Sequence, residues 1–559
     1  MFNDATDDLP ISAAAVGFQG MDCQANPLLL EPGLLADGKN LWCRGDGSVE
    51  TRPGLKVCTT FLRAYLYALG AANPNLEIYA AGFYDTPTYE AQIFFSATQA
   101  WAVTGSGDDL LATRITVGGS PPTISKQQGP LVQLVDRLFY LDSVGRITWL
   151  LYTAGTWTNG NVTTFSTGGT IPVMGNLVAQ GFRLIAIEGL GYRCYASAIG
   201  TAHNSADWVS TENIRVGSGE GDPPRTVLAT QGGFLTVLNG RSAYQIGMGS
   251  ALVANWTSAQ VCRHTGCVEG RTAVVIGQDV FFLARFGVVN LGALADTLSI
   301  APQDTLSYPI QPYIDRINWG VITTAFATTY DNFYLIALPL DNETLPTRFF
   351  AYHLKLKRWM PPWVYTAQSI TDWPGFVSAP TWAGFRHAFV THFADKAETI
   401  LVDSFGQFLR IDPTAETDQT TALNLGAGQY YASYVTTPIP AYLRTRSMTH
   451  EQPSTRKQPF FAELEFVNNT ASGTIDLVFL ADGRATVTTA PDTNTVGRVT
   501  SWTPTGGAEK KRCLLRGDCY GRSLGSYREA GLELYRDTGR MAVRSLILSA
   551  FADAPFFTA

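Results

Sequence analysis

The chain has 559 residues, 45% of them hydrophobic and 16% charged, with a formal net charge of −7. That length exceeds one ordinary core and predicts two or three domains, while the low charge favours strands, tight turns and buried contacts. The acidic balance excludes a general nucleic-acid binder, which needs a basic stripe to neutralise phosphates.

Residues 1–54 carry the turn signals Asn26-Pro27, Glu31-Pro32-Gly33 and Arg52-Pro53-Gly54, and predict an extended N-terminal arm. Its first ten residues, MFNDATDDLP, lack the positive and apolar regions of a signal peptide. No apolar run in the chain reaches the ~20 residues of a membrane-spanning helix.

From 55 to 415 a short phrase recurs. It reads Leu138-Phe-Tyr-Leu-Asp-Ser-Val-Gly145, then Val280-Phe-Phe-Leu-Ala-Arg-Phe-Gly287, then Thr399-Ile-Leu-Val-Asp-Ser-Phe-Gly406. Each copy is a β-rich run, a short break, a hydrophobe and a glycine, and another β-rich run follows. That pattern predicts a hairpin turning at glycine, the residue that takes positive φ without steric cost. Strand pairs centre near Phe95, Tyr140, Ile187, Val237, Leu283, Leu335 and Val402. They are spaced roughly 45 to 65 residues apart; the shorter gaps match four-stranded blades and an insertion or a missed blade would explain the longest, so 55–415 predicts a β-propeller of six to eight blades.

The polar stretch 416–429 predicts a linker. Residues 430–559 alternate as strands at Phe460–Phe466, Ile475–Phe479, Gly531–Tyr535 and Val543–Leu548, and predict a β-sandwich-like domain. The fold class expected is therefore all-β, a propeller followed by a C-terminal sandwich.

The motifs that carry chemistry elsewhere read here as turns. Gly521-Arg-Ser-Leu-Gly525 matches a nucleophile elbow, but the last histidine, His450, lies upstream and the flanks read as turn and strand. Cys262-Arg-His-Thr-Gly-Cys267 has metal-ligand residue types without a second cluster to close a zinc cage. His387 and His392 are placed on opposite faces of one strand. Arg-Gly-Asp occurs at 44–46 and 516–518 in turn contexts. Asp142-Ser-Val-Gly-Arg-Ile-Thr-Trp149 is close to the Asp-box turn of sialidase propellers, a structural element. The eight cysteines are too sparse for a disulfide scaffold, although Cys513 and Cys519 could meet across a hairpin. No catalytic, metal-binding or cofactor-binding residue is assigned, and no cofactor or enzymatic activity is expected.

Five phrases together resemble a family of bacteriophage β-propeller tail proteins, which includes the nozzle and tail-stabilisation proteins of short-tailed phages. They are Gly38-Lys-Asn-Leu-Trp-Cys-Arg-Gly-Asp-Gly-Ser-Val-Glu-Thr-Arg-Pro-Gly54; Tyr192–Gly200 with Asp207-Trp208 and Ile214–Gly221; Gly233–Ile246; Gly266-Cys267 with Arg271-Thr272 and Val280–Val288; and Asn332–Pro339 leading to Trp359-Met-Pro-Pro362. The closing Arg522–Arg528 is similar to the family's final segment.

The resemblance implies a non-enzymatic structural component of a phage tail, a nozzle or hub ring around the DNA exit channel. It implies self-association into a ring, a hexamer by analogy, and contacts with an adaptor and tail fibres. DNA would pass transiently and non-specifically, and the chain would lie in the virion after assembly in the host cytoplasm, without membrane insertion. The alternatives are a receptor-binding tail protein recognising host surface glycans and a sialidase-like glycan hydrolase.

Overall fold

The structure, a computed structural model, describes residues 11–58, 78–96, 99–104, 111–117, 122, 124, 131–217, 221–292, 304–365, 382–393, 396–404, 407–426, 429–448, 457–471, 473–481, 484–485, 498–514 and 530–552. It is all-β, and most of its sheets are antiparallel with consecutive strands as neighbours.

Seven such sheets follow one another. Sheet 1 holds Ile78–Thr86, Tyr89–Ser96, Ala100–Thr104 and Leu111–Ile115. Sheet 2 holds Val132–Leu134, Arg137–Leu141, Ile147–Thr153 and Thr156–Val162. Sheet 3 holds Met174–Gln180, Arg183–Glu188, Arg193–Ser197 and Trp208–Arg215. Sheet 4 holds Pro224–Thr230, Phe234–Asn239, Ala243–Gly247 and Thr257–Cys262. Sheet 5 has three strands among the described residues, Val274–Ile276, Asp279–Ala284 and Gly287–Asn290. Sheet 6 holds Phe326–Tyr330, Phe333–Ala337 and Arg348–His353, with Arg358–Trp359 and Trp363–Val364 both paired to the last of these. Sheet 7 holds Phe385–Phe393, Lys396–Asp403, Phe408–Asp412 and, as its outer strand, Gly54–Val57 from far upstream.

The first strand of each sheet lies against the first strand of the next, and the first strand of sheet 7 returns to that of sheet 1. The contacts therefore close a ring. Each of the seven strand centres expected from the sequence falls in the second strand of one sheet, and all seven residues are buried. Second strands have sheet on both faces, so they carry continuous apolar runs instead of alternation.

The second unit consists of two sheets. One runs Leu41–Cys43, Val49–Thr51, Ala542–Ala552, Lys457–Asn469 and Gly507–Leu514, with Ile11–Val16 also on the Ala542–Ala552 strand. The other runs Gly20–Met21, Leu34–Lys39, Ala441–Thr445, Ala530–Arg536, Ile475–Ala481 and Arg484–Ala485, with Arg498–Trp502 also on Ile475–Ala481. Leu464, Phe466, Leu546 and Leu548 of one share a single core with Leu443, Leu477, Leu532 and Leu534 of the other. The same core runs on into sheet 6 through Trp359, Met360 and Trp363.

Two expectations about domain boundaries are corrected. The residues expected as an arm are built into sheets: Ile11 is in register with Ala550 and Leu35 with Thr445 in the two-sheet unit, and the last of them, Gly54, with Asp412 in sheet 7. The stretch expected as a linker is mostly strand, because Thr417–Gly426 pairs with Gln429–Pro438 in a hairpin. Thr and Gly mark linkers in composition, but Thr is also a strong strand former.

Candidate functional site

Two places concentrate charge in an unusual way. The first is a buried joint. Arg52 is 2% exposed and its guanidinium grips both carboxylate oxygens of Asp418, at 2.9 and 2.5 Å. Its Nε donates to Asn40 Oδ1 at 3.1 Å, Nη1 to the Pro53 carbonyl at 2.8 Å and Nη2 to the Val364 carbonyl at 3.1 Å. The Tyr365 ring covers it, 3.9 Å from Cζ to the centroid. Burial alone would lower the Arg52 pKa, but the Asp418 carboxylate outweighs that and raises it.

Asn40 sits at φ 58°, a conformation asparagine tolerates better than most residues. From there its Oδ1 also accepts the Val364 N–H at 2.6 Å, while its Nδ2 donates to the Pro440 carbonyl at 2.7 Å. A Cβ on Gly54 would run into the carbonyls of Thr417 and Ala415, so only glycine fits there. Sheet 6, sheet 7, the 417–438 hairpin and the two-sheet unit thus meet on Arg52. Every donor is directed and the buried charge is neutralised, the condition under which a buried ion pair is tolerated.

The second place is an open cleft of about 580 Å³ between sheets 4 and 5. Its walls are Gly221–Pro223, the Gly240-Arg241 turn, the loop 264–268 and the Ala284–Phe286 turn. Arg225, Arg241, Arg285 and His264 are exposed along it. Among the described residues, no carboxylate forms an ion pair with any of the three arginines. The lining carboxylate, Asp222, is buried, and its Oδ2 accepts the Arg241 N–H at 2.9 Å and the Ser242 hydroxyl at 2.8 Å.

The cleft walls are fixed by backbone contacts. Asn239 Nδ2 donates to the Asp222 carbonyl at 2.9 Å, Cys267 N to the Asn239 carbonyl at 2.8 Å and Val268 N to the Leu283 carbonyl at 2.9 Å. Gly266 lies so close to the 239–241 backbone that any side chain would collide with it.

A smaller cleft of about 310 Å³ lies between sheets 3 and 4 and includes Arg183. That arginine is committed: it donates to the Ser197 carbonyl, to the Ala251 carbonyl at 2.5 Å, and pairs with Glu212 at 3.1 Å.

Cys262 and Cys267 are buried free thiols that donate to the carbonyls of Arg263 and Glu269. Burial pushes Cys267 up to about 12, which keeps it protonated and a poor metal ligand. Among the described residues no group of His, Cys, Asp and Glu could hold a metal ion. His387 and His392 share the strand Phe385–Phe393. Arg44-Gly45-Asp46 forms the turn between Leu41–Cys43 and Val49–Thr51, where Asp46 Oδ1 accepts the Ser48 N–H at 2.9 Å. Asp142 caps its own turn, accepting N–H groups from Val144 at 3.0 Å and Arg146 at 2.9 Å. Gly521–Gly525, the second Arg-Gly-Asp, His450 and Cys519 lie outside the described residues.

The cleft arginines were not identified from sequence. Arg285 alone left a trace, as the Arg of the copy of the repeated phrase that carries Ala-Arg in place of Asp-Ser; Arg225 and Arg241 left none.

No family model matches the chain, and no curated protein matches it. Among solved structures it is similar to PorZ, a surface component of the type-IX secretion system of Porphyromonas gingivalis, with 12% identity and a TM-score of 0.34 over 67% of this chain and 50% of that one. This chain thus spans about half the length of PorZ. It is also similar to YCF48 from Cyanidioschyzon merolae, with 10% identity and a TM-score of 0.38 over 62% of this chain and 98% of that one. A third is Saccharomyces cerevisiae Sqt1, with 8% identity and a TM-score of 0.38 over 61% and 96%. Likeness at this level carries no statement about what this chain does.

Proposed function

We propose that this chain is a non-enzymatic structural protein of a bacteriophage tail, a nozzle or hub subunit. In this reading the closed ring is a seven-bladed β-propeller and the two-sheet unit is a β-sandwich locked to it. The observation that carries the reading is the Arg52 joint. Asn40 and Arg52 belong to the opening phrase of the family resemblance, and they hold both units together as one body. A part that transmits load through a tail needs such a rigid junction more than it needs a reactive group.

Other phrases of the resemblance also sit at packing positions. Trp208 is fully buried and its Nε1 donates to the Ala202 carbonyl at 2.9 Å. Trp359 is 1% exposed and donates to the Leu306 carbonyl at 2.7 Å. A closed ring of copies requires each subunit to offer two different patches.

The test is electron microscopy of the purified chain together with tag labelling of intact virions. Closed rings of copies and a label at the tail are expected. A monomer at high concentration, with no label on virions, would overturn the reading.

A further inference from the structure

The repeated hairpin departs from itself at one place, and that place is the wall of the cleft. In the first and third copies Leu141 pairs with Ile147 and Val402 with Phe408, each closing a five-residue loop. The loop aspartate caps it: Asp142 as above, and Asp403 by accepting the Gln407 N–H at 2.8 Å. The second copy contracts to a two-residue turn, with Ala284 in register with Gly287. Its tip is Arg285-Phe286, both in the cleft lining, and Phe286 is 46% exposed. A capping acid is thus absent where a cation and an aromatic face are presented instead.

We infer that this cleft binds an anionic saccharide, a sugar unit bearing a carboxylate or a phosphate. Arg225, Arg241 and Arg285 supply planar donor forks of the kind that recognise both anions. Among the described lining residues the carboxylate against them is Asp222, already engaged with Arg241 N and Ser242, and Glu269 lies behind Arg225 outside the lining. The lining therefore carries net positive charge on a chain of net −7. Phe286 offers an apolar ring face for the C–H face of a pyranose.

The volume of about 580 Å³ lies within the usual range of ligand clefts. The walls are already fixed by the Asn239, Cys267 and Val268 hydrogen bonds, so binding need not order them. Arg285 is steadied by the Trp319 ring, 5.6 Å from its Cζ. No contact between copies enters, so the inference stands apart from the tail reading.

The test is calorimetric titration of the full chain at low ionic strength with glucuronate, glucose 6-phosphate, glucose and inorganic phosphate. At least one sugar anion is expected to bind about tenfold or more tighter than glucose, and added salt to weaken it. Which of the two binds tighter identifies the anion. Arg241→Ser with Arg285→Ser, both exposed, is expected to leave the melting temperature near that of the parent and to lower the affinity about tenfold or more. Arg225→Ser is the second variant should the pair fail to fold. Phe286→Ala is expected to weaken sugar anions and leave inorganic phosphate unchanged.

Equal binding of glucose and the sugar anions overturns the inference, as does full affinity in the arginine variants. Inorganic phosphate matching the sugar anions, with no effect of Phe286→Ala, overturns the saccharide assignment.

Discussion

The ring and the two-sheet unit are made of the same kind of strand but assembled by opposite rules. In sheets 1 to 4 every pairing joins neighbours in sequence, through turns of a few residues or somewhat longer loops. In the two-sheet unit Ile11–Val16 pairs with Ala542–Ala552, and Leu34–Lys39 with Ala441–Thr445. Sheet 7 combines both, since three local strands are completed by Gly54–Val57. Local pairing costs little loop entropy and leaves a periodic trace in the sequence. Distant pairing costs more, and here it is secured by the core the two units share and by the buried ion pair of Arg52.

That contrast can be broken at its joint. We predict that Arg52→Ala costs about 3–5 kcal/mol, because Asp418 is left charged and unpaired in the interior. Urea unfolding followed by hydrogen exchange should show Leu464–Phe466 and Ile400–Val402 losing protection together. Loss in one unit alone would mean that the joint does not couple them. Arg52→Lys should rescue little, since an ammonium cannot reproduce the two-pronged grip.

Inside the ring the effects should be smaller and local. Trp208→Phe removes the Nε1 bond to Ala202 and part of a fully buried ring system, at about 2–3 kcal/mol. Hydrogen exchange should place that loss in sheets 2 and 3, and a loss spread equally over the two-sheet unit would contradict local construction.

Acid probes the first strand of sheet 7. Burial, with Arg271 alongside, lowers His387 to about 3. The unfolded chain therefore takes up a proton there that the folded chain refuses. Stability is full above about pH 6.5 and falls as pH drops toward 3, by about 1.4 kcal/mol per pH unit. Melting curves between pH 7 and 5 should show this slope, and His387→Gln should flatten it. An unchanged slope in the variant would assign it to other groups.

The smallest effect is expected at a turn. Asp142→Ala removes the cap on the 142–146 loop and should cost about 1 kcal/mol, read as a small drop in melting temperature.

Legibility followed the same division. Phe95, Tyr140, Ile187, Val237, Leu283, Leu335 and Val402 marked the second strands because a doubly covered strand must be apolar throughout. The strands of residues 430–559 were visible by alternation. The destination of 1–54 was not visible, since Ile11 and Leu35 carry no sign of partners about 540 and 410 positions away. The 417–438 hairpin was hidden by its polar composition. At the cleft, Arg225, Arg241 and Arg285 are each unremarkable in sequence, and only the fold brings their turns to one edge.

The pairing of Ile11 with Ala550 has a consequence for biosynthesis. Ile11–Val16 must wait for Ala542–Ala552 to be made, roughly half a minute to two minutes later at ordinary ribosomal speeds. Gly54–Val57 meanwhile waits for Phe408–Asp412 before the circle can shut. A nascent polypeptide of this kind carries open sheet edges for most of its translation. Prematurely terminated products would keep those edges exposed, which marks them for chaperones and proteases while the finished molecule escapes notice.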